Sequence, residues 1–451
     1  MPPNASIAFQ QARLSRDPRF DGQFYVAVKS TGIFCRPICP AKLPKEENVS
    51  YYDKSELAMQ AGYRPCLRCR PDSAPHSFAW RGVDTTVERG LNLITHNLHL
   101  TMLEIANKLG VSDRYLRQLF EAKVGIAPKQ FQIYHRLLFA KKLLHETHLS
   151  VEQVAFASGF NSARLLQSHL RKNMLLTPSQ IRTQAKTTAT QLQLKLAYRP
   201  PYDWPHLRDF LATRAISNME FIGDNFYART VQLSQSVGFF KAKIVPDKHY
   251  FLVDIELDNM TELHGMLATI RRILDVDTDN QIIESQLLNA GLPADKWRPG
   301  LRLPGIWNSF EAGCRAILGQ QISVTAAIKL TQTLVEQCGD QFQQKWLFPT
   351  PQSVAQSSLL FLKMPDSRRQ TLKRFAEAVA AQPNLPLGEW QNIKGIGPWT
   401  VSYAKMRGLS DPDVFLGSDL VIKKQLAQFN INPDLASPWG SYLTFLLWSH
   451  A

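Results

Sequence analysis

"IKGIGPWTVSYAKMRG" spans Ile393 to Gly408, and "DVFLGSD" follows, ending at Asp419. Gly395 and Gly397 flank Ile396, and Pro398 suits a first helical turn, where its missing N–H costs nothing. The pattern predicts two helices joined by a tight hairpin. Glycines carry no Cβ, so backbone N–H groups in such a turn can come close to a phosphate without reading a base. An acidic residue twenty positions after Trp399 gives the turn a chemical neighbour.

Trp399 and Tyr403 stand four apart and share one face of the helix after the hairpin. Such a pair either belongs to a core or offers electron-rich faces to a cation. Asp419, beside Ser418, reads in two ways. It can cap the helix that follows, or it can stabilise positive charge and orient a water.

Length and composition set the frame. A chain of 451 residues predicts roughly three or four domains. With 44% hydrophobic and 20% charged residues, it has ample core for a globular protein. No run approaches the ~18 apolar residues of a membrane span. The first residues, "MPPNASIAFQQARLSRDPRF", lack a basic start and an apolar run, so a cytoplasmic, nucleoid-associated protein is expected. Net charge is +14, and residues 1–186 hold 26 Lys+Arg against 14 Asp+Glu, while residues 187–451 hold 26 against 24. A basic front half predicts a polyanionic partner, nucleic acid first.

Four of the six cysteines fall in two short stretches, "TGIFCRPICP" (31–40) and "RPCLRCRP" (64–71). Cys35 and Cys39 are spaced C-x3-C, and Cys66 and Cys69 C-x2-C. Two close thiol pairs can converge on one tetrahedral Zn2+ with Zn–S bonds of about 2.3 Å. Cys314 and Cys338 are expected in the core.

Between these regions the pattern is helical and repeats. "LTMLEIANKLGVSDRYLRQLFEAKVGIAP" (100–128) places apolar residues at Leu103, Ala106, Leu109, Val111, Leu116, Leu119 and Phe120. Gly110 separates two helices and Ser112 caps the second. The grammar is helix-turn-helix, and it recurs in "LSVEQVAFASGFNSARLLQSHLRKNMLLTP" (149–178). Ala106 to Ala155 and Gly110 to Gly159 are each 49 residues, and Pro128 to Pro178 is 50. Exposed contacts to DNA are expected from Arg114 and Arg117 in the first unit and Asn161, Arg164 and Arg171 in the second. "QAKTTATQLQ" (184–193) reads as a linker. Beyond it, "LAYRPPYDWPHLRDFLATRAI" predicts a helix, and "FYARTVQL", "VGFFKAKIV" and "HYFLVDIEL" predict strands.

The expected fold is multidomain and mainly α. A small zinc-bound α/β domain occupies 1–78, an all-α tandem helix-turn-helix domain 79–184 and a linker 185–194. An α+β subdomain follows at 195–283, then an all-α helix-hairpin-helix domain at 284–451.

Three resemblances add function to this frame. "STGIFCRPICP", "ENVSYY" and "AGYRPCLRCRPD" resemble the N-terminal domain of Ada-type adaptive-response proteins, over residues 10–75. That resemblance implies that Cys35 irreversibly accepts a methyl group from a methylated DNA phosphate, with Thr31, Lys42 and Arg64 at phosphate-contacting positions. The repeat resembles the AraC-type DNA-binding domain. A tetrathiolate zinc site carries −2, which falls to −1 once Cys35 is methylated. Repulsion of DNA then weakens, which would switch a regulator acting at promoter operators, with RNA polymerase as a further partner.

"PPYDW", "LRLPG", "FEAGCRAILGQQISV", "KGIGPWT" and "DVFLGSDLVIK" resemble the AlkA-type alkylated-base DNA glycosylases, over residues 195–451. This implies hydrolysis of the bond between a damaged purine, such as 3-methyladenine, and deoxyribose. Asp419 would be catalytic, and Trp399, Tyr403 and Trp448 would form the base pocket. Lys394, Gly395 and Gly397 would bind DNA, with a monovalent cation at the hairpin. Gln320 and Gln321 match the segment that fills the gap left by a flipped base. Trp399 and Thr400 stand where a Schiff-base lyase would carry lysine, so strand cutting is not expected. No four-cysteine set follows Asp419, and no "PCHRV" motif is present. Neither an iron–sulfur cluster nor guanine-oxygen methyl acceptance is therefore expected. A monomer on double-stranded DNA is expected. The rival reading is a transcription regulator with a non-catalytic glycosylase-like domain.

Overall fold

The computed structural model describes residues 3–53, 57–58, 61–66, 69, 71, 85–182, 192–234, 236–383, 385–429 and 431–450. The expected boundary at 78/79 lies outside the described residues, as does the linker up to residue 191. The chain divides into two compact units, residues 1–192 with 259–267, and residues 193–258 with 268–451. Among the described residues, no helix is long and apolar enough to cross a membrane.

In the first unit, four short strands order as 49–52, 25–28, 33–35 and 64–65. Strand 25–28 pairs antiparallel with both 33–35 and 49–52. Strand 64–65 runs parallel to 33–35, with Ile33 opposite Arg64 and Phe34 opposite Pro65. That parallel register brings two cysteines distant in sequence together: Cys35 ends one strand and Cys66 directly follows the other. The Cys66 N–H donates to the Phe34 carbonyl at 2.9 Å.

The tandem repeat folds as two helix-turn-helix units, 102–109 with 113–123 and 151–157 with 163–174, separated by the helix Pro128–Glu146. Their boundaries follow from local chemistry. Thr101 and Glu104 form a reciprocal capping box, as do Ser150 and Gln153. The Ser112 side chain accepts from the Tyr115 N–H, and Gly110 ends the first helix at φ +71°, where a side chain would be strained. Leu103 departs from expectation: it is 64% exposed, while Ala106 is buried as expected and Ile105, which was not singled out, is buried with it. Met102, Ile105, Ala106 and Leu109 form the face packed on the core, and position 103 lies off it. Leu166 and Leu170 are fully buried.

The second unit opens with a five-stranded sheet in the order 192–197, 250–257, 237–245, 226–232 and 220–223. The three expected strands form its middle. The two edges were missed. Leu192–Ala197 is a strand, inside the stretch read as linker and helix, and the helix begins only at Trp204. Pro200 and Pro201 keep the intervening chain extended, and the Asp203 side chain caps the helix through the His206 N–H. A two-residue ribbon, 341–342 with 345–346, interrupts the helical part. There, helix Ser309–Leu318 is buried along almost its whole length and packs against helix Pro398–Gly408. Cys314 is fully buried, whereas Cys338 is half-buried against the same core.

Candidate functional site

The hairpin forms as its spacing predicts. Gly397 caps the helix Pro398–Gly408, and Gly395 sits at φ +99°. The Thr371 hydroxyl and the Arg374 guanidinium both donate to the Lys394 carbonyl, at 3.2 and 3.4 Å. A Cβ on Gly395 would lie 2.0 Å from the Thr371 Oγ1. Gly395→Ala combines this overlap with a left-handed backbone and is expected to destabilise the protein by about 3 kcal/mol. Thermal unfolding of the full chain checks it; a melting point equal to wild type would contradict the geometry.

The hairpin helix borders a cavity of about 1150 Å3 in the second unit. Trp399 and Tyr403 stack on its wall with ring centroids 5.2 Å apart and planes 21° apart. Trp448 stands 6.3 Å from Tyr403. All three rings line the cavity, as does Asp419. The Asp419 carboxylate caps the helix that follows it and also lines the cavity. Its Oδ1 caps helix Leu420–Leu426, accepting from the Val421 and Ile422 N–H groups at 2.9 and 3.2 Å. Its Oδ2 accepts from the Trp399 indole N–H at 3.1 Å, and Oδ1 also from the Trp448 indole at 3.4 Å. Two backbone N–H groups and two indole N–H groups thus hold one carboxylate at the edge of an aromatic pocket.

Gln320 and Gln321 line the same cavity but differ in setting. The Gln320 amide donates to the Gly395 carbonyl at 3.4 Å and to Thr400 Oγ1 at 3.3 Å, so it ties its own turn to the hairpin. Gln321 is exposed, at φ +57°.

Sequence reasoning missed the cavity floor. Glu220 and Glu311 are buried there between Arg229 and Arg315. Arg229 meets Glu311 at 2.8 Å, and Arg315 meets Glu220 and Glu311 at 2.8 Å each. Burial opposes charge on Arg229, but Glu311 and Glu220 outweigh it and raise its pKa. Both carboxylates are therefore consumed by ion pairs. The spacing of Glu311 and Arg315, i and i+4 inside "FEAGCRAIL", was the available signal. Their partners Glu220 and Arg229 lie more than 80 residues away.

In the first unit, the Sγ atoms of Cys35, Cys39, Cys66 and Cys69 all lie within 4.8 Å of one another. Tetrahedral Zn–S bonds of about 2.3 Å require sulfurs roughly 3.8 Å apart, so the set fits one zinc ion after a small contraction. The thiol chemistry fits as well. Hydrogen bonds from Cys35 and then Cys69 pull the Cys39 pKa down, and the same bond to Cys39 pushes Cys35 up. A bound dication would favour the deprotonated form of all four thiols. Cys39, Cys66 and Cys69 are 7–9% exposed, while Cys35 is more open. Cys39 also accepts from the Ala41 backbone, and Cys69 from the Arg36 N–H at 3.3 Å. The Arg36 guanidinium pairs with Asp21. Thr31, Lys42 and Arg64 are exposed on this region.

On the helix-turn-helix units, Arg114, Arg117, Asn161, Arg164 and Arg171 are all exposed. Arg117 pairs with Glu121 at 3.0 Å. Arg164, Gln167, Ser168, Arg171 and Lys172 line one shallow basic recess on helix Ala163–Met174.

Comparison with known proteins matches the same three regions. Residues 8–72 match the metal binding domain of Ada, 105–184 a helix-turn-helix domain and 193–308 the AlkA N-terminal domain. The probable bifunctional transcriptional activator/DNA repair enzyme AlkA of Mycobacterium tuberculosis is 32% identical, over 96% of this chain and 94% of its own. DNA-3-methyladenine glycosylase 2 of Escherichia coli is 35% identical over 56% of this chain and 95% of its own. The bifunctional transcriptional activator/DNA repair enzyme Ada of Escherichia coli is 39% identical over 27% of this chain and 34% of its own. With sequence similarity to such an enzyme along nearly its whole length, the chain belongs to the AlkA family of bifunctional transcriptional activator/DNA repair enzymes.

Proposed function

We propose that the chain excises alkylated purines from DNA in its second unit, and senses methylated phosphates and regulates transcription with its first. The observation that carries the excision reading is the Asp419 carboxylate, fixed by two indole N–H groups inside an aromatic cavity beside the hairpin.

The chemistry follows from charge. Methylation of a purine ring nitrogen makes the base cationic, so it leaves readily and needs little acid assistance. Trp399, Tyr403 and Trp448 attract that cation through their faces. The base reaches them only after leaving the stack. As the C1′–N bond breaks, positive charge moves to the sugar. Asp419 stabilises it and orients the water that bonds to C1′. No lysine stands at position 399 or 400, so the product is an abasic site in an uncut strand. Backbone N–H groups at Gly395 and Gly397, with Lys394 and Gln321, hold the duplex. A monovalent cation at the hairpin carbonyls belongs to the same reading.

In the first unit, Cys35, Cys39, Cys66 and Cys69 would hold Zn2+, which keeps thiols deprotonated at neutral pH when bound. The Cys35 sulfur attacks the methyl carbon of a neutral phosphotriester. An S–C bond forms, the C–O bond breaks, and its electron pair leaves a phosphodiester anion. Thr31, Lys42 and Arg64 contact the flanking phosphates. Loss of one thiolate charge favours DNA binding, and Arg114, Arg117, Asn161, Arg164 and Arg171 then engage an operator and recruit RNA polymerase. The protein acts as a cytoplasmic, nucleoid-associated monomer.

Incubating the full chain with methylated duplex DNA tests the excision reading. Free 3-methyladenine and 7-methylguanine are expected, without strand breaks until alkali is added. Release of neither base, with DNA binding intact, would favour the non-catalytic regulator.

A further inference from the structure

The five-stranded sheet of the second unit has two unlike faces. Strand 226–232 alternates between them. Arg229, paired with Glu220 of the neighbouring strand, lines the cavity. Phe226, Ala228 and Thr230 point to the opposite face, opposite Lys243, Lys241 and Phe239 of the next strand. An antiparallel sheet with a core on one side is usually polar on the other. This outer face instead carries Phe221, Phe226, Phe239, Tyr250 and Leu252, all half-buried.

Lysines interleave with the rings. Lys241 lies 4.2 Å over Phe226, Lys195 5.3 Å over Tyr250 and Lys345 5.2 Å over Phe239. Lys243 is exposed. Among the described residues no carboxylate pairs with any of these four lysines. Two acids share the face: Asp254, which accepts from the Gln193 amide at 2.7 Å, and Glu256, opposite Phe239. Four ammonium groups against two carboxylates leave the face basic, although residues 187–451 as a whole hold 26 Lys+Arg against 24 Asp+Glu. The Phe226 ring lies across Gly223 of the next strand, where a Cβ would come within 2.3 Å of it. The glycine makes room for the ring to lie along the sheet.

The mixture of groups selects a partner. Lysine is depleted from the cores of protein–protein interfaces, so a lysine-studded face argues against a protein. Duplex DNA would use the lysines but not the rings, because its base faces are already stacked. A single strand uses both, with bases on the rings and phosphates on the ammonium groups. An exposed ammonium–ring contact is weaker than a base stacked on a ring, so the base takes the ring and the ammonium moves to the adjoining phosphate.

We propose that this outer sheet face, built on Phe226, Phe239, Tyr250, Lys195, Lys241 and Lys243, binds single-stranded DNA, apart from the cavity on its reverse. Binding there is tolerant of sequence, since every base offers a π-face. The choice of DNA over RNA rests on the excision reading above; the platform itself does not.

The test mixes the full chain with excess unlabelled duplex, to occupy the hairpin and the helix-turn-helix units. A fluorescent oligothymidylate of about 15 residues, carrying 5-iodouracil, is then added. Anisotropy reads its affinity, and irradiation with peptide mapping reads its contacts. It is expected to bind in the presence of duplex and to crosslink at Phe226, Phe239 or Tyr250. Phe226→Leu keeps apolar volume but loses the aromatic face, and should weaken binding about fivefold or more. Lys243→Glu should weaken it by a similar factor and reduce its salt dependence. Both variants should release 7-methylguanine from methylated duplex at the wild-type rate, because neither side chain lines the cavity. Crosslinks confined to other segments, loss of binding once duplex is present, or unchanged affinity in both variants would overturn the platform. If Phe226→Leu does not melt cooperatively, Lys243→Glu and the wild-type crosslinks decide. Tighter binding of oligouridylate overturns the choice of DNA. Wild type that binds and crosslinks as expected, yet releases no methylated base, contradicts the excision reading alone.

Discussion

Asp419→Asn should lower the single-turnover release of 7-methylguanine from duplex DNA about 1000-fold. By transition-state arithmetic that is a loss of roughly 4 kcal/mol. The substitution is chosen because it separates the cap that Asp419 makes from the catalytic role proposed for it. As a cap it accepts from the Val421 and Ile422 N–H groups, and asparagine caps a helix about as well as aspartate. The fold should therefore survive, with stability changed by about 1 kcal/mol or less. What asparagine removes is the charge. It also cannot satisfy every donor around it. If its oxygen keeps the cap, its NH2 group faces the Trp399 indole N–H, now 3.1 Å from an acceptor. Two donors then oppose each other, and the pocket wall loses its anchor. Rate loss and unchanged melting together separate the two jobs. A rate equal to wild type would mean that Asp419 only caps.

Asp419 also shows how far the sequence was legible. Its cap is local, set by the residues that follow, and spacing from the hairpin pointed to its chemistry. The indole of Trp448, 29 residues away, could not be placed by spacing alone. The same contrast runs through the molecule. Cysteine spacing announced a metal site, but the parallel pairing of strands 33–35 and 64–65 that joins the two pairs has no local signature. The repeat was legible because capping boxes and glycine stops recur at fixed offsets. Leu103 misled because apolarity was weighed without the face that Met102, Ile105, Ala106 and Leu109 share. The sheet edges were missed because edge strands are short and half-polar, so they read as linker or helix. The arginine–glutamate floor was least legible. Buried charges look like surface residues until partners from distant segments are brought against them.

Cys35→Ser should abolish methyl transfer from methylated DNA altogether, yet leave metal bound by Cys39, Cys66 and Cys69. Three features support the proposal that Cys35 is the reactive member. It is the most open of the four. It stands at the end of the strand Ile33–Cys35, where the chain leaves the sheet. Backbone N–H groups reach Cys39 and Cys69, from Ala41 and Arg36. Such bonds draw charge from a thiolate and make it a weaker nucleophile, whereas the contacts of Cys35 are with other thiols. The three remaining sulfurs form the kind of three-ligand set that still binds zinc with an open position. Cys39→Ser is the contrasting variant, because it removes a buried ligand that its own backbone bond holds in place. It should lose both metal and transfer. Metal content per chain and intact mass after incubation with methylated DNA read the two functions separately. Wild type should gain one methyl group, on Cys35 by peptide mapping, and chelated wild type none. A methyl group found on Cys39, Cys66 or Cys69 in the Cys35→Ser variant would contradict the assignment. Once methylated, wild type should hold unmodified DNA more tightly at low salt than before, and the gain should shrink as salt rises, because the change is the loss of one repelling charge.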